Sequence, residues 1–81
     1  MLWFNFNGST MKGANLEGAN MTGAFLKNVD LSHANLQNAV LKGAELHGSK
    51  LDGANLSQAD FSGAVWIDGK LCKEGSIGAC L

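Results

Sequence analysis

A five-residue repeat constrains the fold of this chain more than any other feature. Residues 4–68 divide into thirteen consecutive five-residue units without a gap or insertion. The third residue of every unit is apolar, and nine of the ten alanines stand at the first position. Eight of the eleven glycines stand at the fifth position, and the chain contains no proline. A periodicity of this length predicts a repeat architecture in which each unit packs on its neighbours.

A period of five residues fits neither an α-helix nor a flat strand. An α-helix places residues five apart on different faces, because 3.6 residues complete one turn. A strand sends residues five apart to opposite sides, because its side-chain period is two. The pattern therefore predicts a backbone that turns once per unit, with glycine or the tolerant Asn28 and Asn38 at the corners. Between corners, the small first residue and the large third residue share one side and fill a narrow interior.

Four units, ANLEG, ANLQN, ANLSQ and ADFSG, resemble the tandem units of the pentapeptide repeat family. The resemblance implies an all-β fold, a right-handed quadrilateral parallel β-helix with four units per coil and about three coils. The thirteen units and the atypical residues on either side of them place an N-terminal cap at residues 1–3, the β-helix at 4–68 and a C-terminal cap at 69–81. Repeat proteins close their open ends with atypical terminal segments of this kind.

Twenty-residue coils would make residues twenty apart vertical neighbours. The third-position residues then form inward columns, and the second-position residues form outward ladders. In these ladders we expect an ion pair between Asp30 and Lys50 and amide hydrogen bonds along Asn15, Asn35 and Asn55. The predicted outward ladders are Asn5–Phe25–Glu45–Val65, Thr10–Asp30–Lys50, Asn15–Asn35–Asn55 and Asn20–Val40–Asp60.

The five-residue pattern becomes irregular after Trp66, although Leu71 still falls on the third position. We interpret the tail as a cap, and a partner-binding motif is the alternative. The tail also resembles that of secreted bacterial pentapeptide proteins. Cys72 and Cys80 both lie in it, and we predict that they form a disulfide, because a short irregular cap has little else to hold it. The alternative is two reduced, half-buried thiols. The disulfide would indicate an extracytoplasmic compartment, periplasmic or secreted, and free thiols a cytoplasmic one.

Known chemical motifs are sparse in this chain. His33 and His47 fall on different sides of the coil, and no C-x2-C pair occurs, so we expect neither a metal nor another cofactor. The serines, among them Ser32 and Ser62, are expected on outward surfaces without a base beside them, which predicts no enzyme and no small-molecule substrate. The longest apolar runs are four residues, so no membrane span is expected, and no signal-peptide pattern is visible.

The composition narrows the classes of function. Six lysines against seven acidic residues give a net charge of −1, which argues against a nucleic-acid binder. The same near-neutral charge and the short length disfavour the alternative that the family suggests, a DNA-mimicking topoisomerase inhibitor. We therefore predict a non-catalytic structural or interaction module that binds a protein or its own copy. Phe25, Glu45 and Val65 form the candidate partner patch, with ordinary surface packing as the other interpretation.

Overall fold

The computed structural model describes residues 4–81. The predicted N-terminal cap, residues 1–3, lies outside the described residues. Within the described range the chain forms isolated single-residue β-bridges and turns, without a helix or a continuous strand. Nine parallel bridges each join residues twenty apart, and two antiparallel bridges join the C-terminal segment to the repeat. Single-residue bridges follow from the short unit, because the fourth and fifth residues of each unit form its turn.

The parallel bridges form four ladders, which we name A to D. The side of the molecule that carries a ladder takes the same letter, and each side is built from the five-residue units that contain its ladder residues. All four ladders match those predicted from the sequence, which confirms the register and the twenty-residue spacing. Ladder A is Asn5–Phe25–Glu45–Val65, ladder B is Thr10–Asp30–Lys50, ladder C is Asn15–Asn35–Asn55 and ladder D is Asn20–Val40–Asp60.

The first twelve units each have a left-handed backbone at the fifth position, where the chain turns. Asn28 and Asn38 adopt φ values of 57° and 62° there, as predicted. His33 and Gln58 also adopt positive φ, 61° and 60°, although neither residue type indicates a corner by itself. Hydrogen bonds on both sides of the corner hold this conformation, since the first residue of the next unit donates its N–H to the third residue's carbonyl. Ala34 N lies 3.0 Å from the Leu31 carbonyl oxygen in this way.

Asparagine and aspartate at the second position stabilise the corner that follows. On ladder C the Oδ1 atom of each asparagine accepts a hydrogen bond from the backbone N–H two residues later, as Asn35 does from Gln37 at 3.0 Å. Asn15 and Asn55 make the same contact at 3.2 and 3.1 Å. The Oδ1 atoms on ladder C therefore bond within their own units, which differs from the predicted bonding along the ladder.

The core consists of the first and third positions, as the small-large alternation predicts. Aromatic rings lie near both ends of the core: Phe4 stacks on Phe6 with centroids 6.0 Å apart, and Trp66 meets Phe61 edge to face at 4.9 Å. Burial of this kind is the main favourable term in folding. The fully buried large side chains of the repeat's third position are Leu26, Leu31, Leu36, Leu41, Leu46 and Phe61, and the buried alanines are Ala24, Ala34, Ala39, Ala44, Ala59 and Ala64.

Residues 69–81 run back across the last units of sides D and A. Ile77 bridges Asp60 and Leu71 bridges Val65, both in the antiparallel sense. Leu71 is 66% exposed, so it does not continue the inward third-position column. The reversal follows the corner at Gly69, where φ is 87° and the five-residue rhythm ends.

The C-terminal segment is folded around a disulfide and a buried serine. Cys72 and Cys80 are joined through their Sγ atoms, and their Cα atoms lie 4.9 Å apart. The Ser76 side chain is fully buried; its hydroxyl donates to the Lys73 carbonyl at 2.5 Å and accepts from the Leu81 N–H at 3.1 Å. These contacts hold the two ends of the Cys72–Cys80 loop together independently of the disulfide.

Candidate interaction surface

Among the ladder residues of the described chain, apolar side chains occur only on two adjacent sides of the molecule. Phe25 and Val65 lie on ladder A and Val40 on ladder D, and all three are half-buried. Ladders B and C consist of threonine, aspartate, lysine and asparagine alone. The C-terminal segment adds Leu71 and Ile77, which are 66% and 47% exposed. Since bridged residues present their side chains on the same side of a sheet, Leu71 extends side A and Ile77 extends side D. We call these two adjacent sides, with Leu71 and Ile77, the A/D face.

The predicted patch of Phe25, Glu45 and Val65 lies along ladder A, where consecutive bridges join the three residues. Leu71 extends this row beyond Val65 by the antiparallel bridge. The contribution of the C-terminal segment could not be predicted, because the sequence gives Leu71 the inward phase of the repeat. In the sequence, Ile77 is an isolated apolar residue between Gly75 and Gly78, and this pattern does not indicate that it is exposed.

Two ion pairs lie within the A/D face. Lys27 Nζ is 3.3 Å from Glu45 Oε1, and Lys42 Nζ is 3.8 Å from Asp60 Oδ2. Each pair joins the fourth position of one unit to the second position of a unit on the next coil. The expected pair between Asp30 and Lys50 is absent from the ion pairs of residues 4–81. The A/D face therefore combines apolar residues with two pairs of opposite charges.

Two carboxylates are held ionised by a serine two residues later. The Ser62 hydroxyl donates to Asp60 Oδ1 at 2.6 Å and the Ser62 N–H donates to the same oxygen at 3.0 Å. These bonds, with a smaller contribution from Lys42, lower the pKa of Asp60 below its ordinary value. Ser32 lowers the pKa of Asp30 in the same way, with smaller contributions from Lys50 and Lys12. Ser32 and Ser62 are buried, which corrects the expectation that they lie on outward surfaces.

Replacing Ser32 with alanine is expected to raise the pKa of Asp30 towards the ordinary 3.8. A depressed folded-state pKa contributes stability above the unfolded value, and this contribution is lost as the pH falls through the folded pKa. The folding stability of the S32A variant should therefore fall less as the pH drops from the unfolded-state pKa of Asp30 to its folded-state pKa. Carboxyl NMR titration measures the shift, and Ser57→Ala is the matched control on side C. An Asp30 titration curve that S32A leaves in place would contradict the assigned cause.

The two histidines lie on different sides of the described chain and form no metal site. His33 lies on side B and His47 on side A, and residues 4–81 contain no group of three metal-ligating side chains. A cavity of about 210 Å³ at the N-terminal end is apolar apart from Asn20 and contains no ionisable side chain. No helix in residues 4–81 is long and apolar enough to cross a membrane. The cavity lining is Phe4, Phe6, Leu16, Ala19, Asn20 and Met21.

Comparison with known proteins supports the repeat interpretation. The family model of pentapeptide repeats matches residues 5–38 and 30–65, with eight copies in all. The chain belongs to the pentapeptide repeat family. Pentapeptide repeat proteins are right-handed β-helices. The family match therefore gives the handedness of the coil, which the bridges alone do not determine. Nothing in the match indicates catalysis. No curated protein matches the chain.

Among solved structures, this pentapeptide repeat protein is similar to HetL of the cyanobacterium Nostoc sp. strain PCC 7120, described as involved in the regulation of heterocyst differentiation. The two share 35% identity with a TM-score of 0.82 over 86% of this chain and 33% of HetL. The chain thus spans about a third of HetL's length. A pentapeptide repeat protein of the Arabidopsis thaliana thylakoid lumen matches 75% of this chain and 63% of its own at 27% identity, with a TM-score of 0.27.

Proposed function

We propose that this pentapeptide repeat protein is a non-catalytic interaction module that binds a protein partner through the A/D face. In this proposal residues 4–68 form a quadrilateral β-helix of about three coils, whose four sides are flat walls. Residues 1–3 and 69–81 are its caps. The observation that carries the proposal is the segregation of outward side chains: apolar residues occur on ladders A and D and are missing from ladders B and C.

The physical basis of binding is burial of the exposed apolar area. Leu71 and Ile77 project at one end of the face, where Val65 lies beside Leu71. Removing this area from water favours association by about 25 cal/mol per Å² before the costs of binding are subtracted. The Lys27–Glu45 and Lys42–Asp60 pairs then select a partner with complementary charges around its own apolar strip.

Mimicry of DNA is the weaker candidate. It requires a continuous acidic surface, whereas Glu45 and Asp60 are paired with lysines and the other acids are spread over several sides. The net charge of −1 gives little long-range attraction to a DNA-binding protein.

For the compartment, we propose an extracytoplasmic location. The disulfide between Cys72 and Cys80 supports it, because such bridges persist in oxidising environments and are rare in the cytosol. The alternative, reduced thiols in a cytoplasmic protein, is tested with the disulfide below.

Photo-crosslinking from defined positions tests the proposed face. A photoreactive residue at Val65 or Ile77 should capture a partner in native extracts, whereas the same residue at the half-buried Asn35 on ladder C should not. The captured protein is then purified and titrated against the variants Val40→Asn and Val65→Asn. Each variant introduces asparagine, a residue that the same ladder already carries at Asn20 or Asn5. We expect each variant to weaken binding on the order of tenfold, with Asn35→Val as the control. Equal capture from ladder C, or binding unaffected by both variants, would exclude this face.

A further inference from the structure

The C-terminal end of the repeat is covered on sides D and A and open over most of sides B and C. At the corner that ends side C, Gly78 lies close to the Leu56 carbonyl and the Gln58 N–H. On sides D and A, the N–H groups of Phe61, Gly63 and Trp66 donate to carbonyls of the C-terminal segment. On sides B and C, the equivalent groups Leu51, Gly53, Leu56 and Gln58 have no hydrogen-bond partner among residues 4–81. The carbonyls of Ser49 and Ala54 are likewise unbonded there. We call this open edge, residues 49–58, the notch.

The end of the molecule is therefore stepped. The C-terminal segment adds one further layer above Asp60 and Val65, and no layer lies above Lys50 or Asn55. The notch exposes parts of Leu51, Ala54 and Leu56, whereas the corresponding residues Ala59, Phe61 and Ala64 under the segment are fully buried. An uncovered edge with free donors and acceptors is a template for pairing with another extended segment.

We infer that the notch is occupied by the C-terminal segment of a second copy of this chain. The segment itself carries the complementary groups: the N–H and C=O of Leu71 and the C=O of Ile77 have no partner within residues 4–81. With the C-terminal ends of two copies face to face about a twofold axis, side A of each copy lies over side B of the other, and side D lies over side C. The raised layer of each copy then fills the notch of the other.

The hydrogen-bond pattern of this arrangement is that of a parallel bridge between Leu71 of one copy and Lys50 of the other. The Leu71 N–H donates to the Ser49 carbonyl, and the Leu51 N–H donates to the Leu71 carbonyl. The Leu56 N–H donates to the Ile77 carbonyl on the neighbouring side. The contact is isologous, so each bond occurs twice and the assembly closes as a dimer.

The end surface sets the largest contact that two copies can make. The molecule extends 27 × 27 × 21 Å, and stacked layers about 4.8 Å apart account for the shortest dimension. The end surface therefore fits within 27 × 27 Å, and this outline is an upper bound on the area over which two copies can meet. This dimer uses the backbone groups of Leu71 and Ile77, which belong to the A/D face, and leaves the ladder residues Phe25, Val40 and Glu45 of that face open.

Amide exchange read together with oligomeric state tests the dimer. We expect sedimentation equilibrium to show a monomer-dimer equilibrium, and the Leu51 and Leu56 amides to exchange at least tenfold more slowly in NMR as the dimer forms. The amides of Leu31 and Leu36 are the control, because they already donate to the Lys50 and Asn55 carbonyls and should be protected at every concentration. A chain that stays monomeric at millimolar concentration, or a dimer whose Leu51 and Leu56 amides remain fast, overturns the inference.

A proline variant tests the pairing atom directly. Leu71→Pro removes an N–H that has no partner within the chain, and proline is tolerated at an edge position of this kind. We expect this variant to fold and to dimerise at least tenfold more weakly, whereas Leu71→Val, which keeps the N–H, should dimerise nearly as well. Undiminished dimerisation of L71P overturns the pairing. If L71P does not fold, the concentration dependence of amide exchange in the unchanged protein decides the question.

Discussion

Replacing Leu36 with alanine is expected to lower the free energy of unfolding by about 2–5 kcal/mol. Leu36 stands at the third position of its unit, in the middle coil, and its side chain is fully buried. Deleting its branched end removes apolar contacts, and the hydrogen-bonded backbone on both sides limits how far the core can close on the cavity. The Leu36 N–H donates to the Asn55 carbonyl at 2.8 Å, and the Ala39 N–H donates to the Leu36 carbonyl at 3.0 Å.

The neighbouring Gln37→Ala is the matched control, since its side chain points outward from the same unit. We expect it to change the unfolding free energy by less than about 0.5 kcal/mol. Urea unfolding of both variants measures the difference. Equal losses in the two variants would show that the third position does not face the core, and the register derived from the repeat would then be wrong.

The register of the repeat could be predicted from the sequence, because the same alternation of a small first residue and a large third residue recurs along the units. A small residue at position one and a large one at position three can share a narrow interior only if the backbone turns between units. Leu36 and Ala39 illustrate this, as both are fully buried. The ladder spacing of twenty residues came from the family resemblance, since the period of five does not by itself give the number of units per coil.

Features that depend on contacts between coils were harder to predict. His33 and Gln58 adopt left-handed backbones because the hydrogen bonds around each corner override their weak local preference. The ion pairs join Lys27 to Glu45 and Lys42 to Asp60, because the longer lysine side chain at the fourth position reaches the next coil.

The candidate surface was predicted in part. Ladder A follows from the repeat, which is why Phe25, Glu45 and Val65 could be named from the sequence. The contributions of Leu71 and Ile77 arise from the reversal of the chain after Gly69, where the repeat stops and no other periodicity replaces it. The buried Ser76 was missed for the same reason: its role depends on meeting the Lys73 carbonyl and the Leu81 N–H within a single closed loop.

Reducing the disulfide is expected to lower the stability of the C-terminal segment by roughly 2–3 kcal/mol, the chain-entropy value for a closed loop of about nine residues. Alkylation of the unreduced, denatured protein followed by intact mass shows first whether the bridge exists in material from the natural source. We expect no adducts and a mass lower by two hydrogens, restored by reductant. Adducts on both cysteines before reduction would contradict the disulfide and remove the support for an extracytoplasmic location.

The loss should be local at first, because coupling in a repeat protein acts mainly between neighbouring units. The segment protects the N–H groups of Phe61, Gly63 and Trp66, whereas the middle coil bonds only to other coils. In hydrogen exchange, reduction should therefore speed these three amides while Leu31 and Leu36 stay protected. Ser76→Ala in the oxidised protein is the comparison, since it removes the hydroxyl bonds and keeps the bridge. If reduction instead released all the amides together, the disulfide would stabilise the whole molecule, and the repeat and its C-terminal segment would form one cooperative unit.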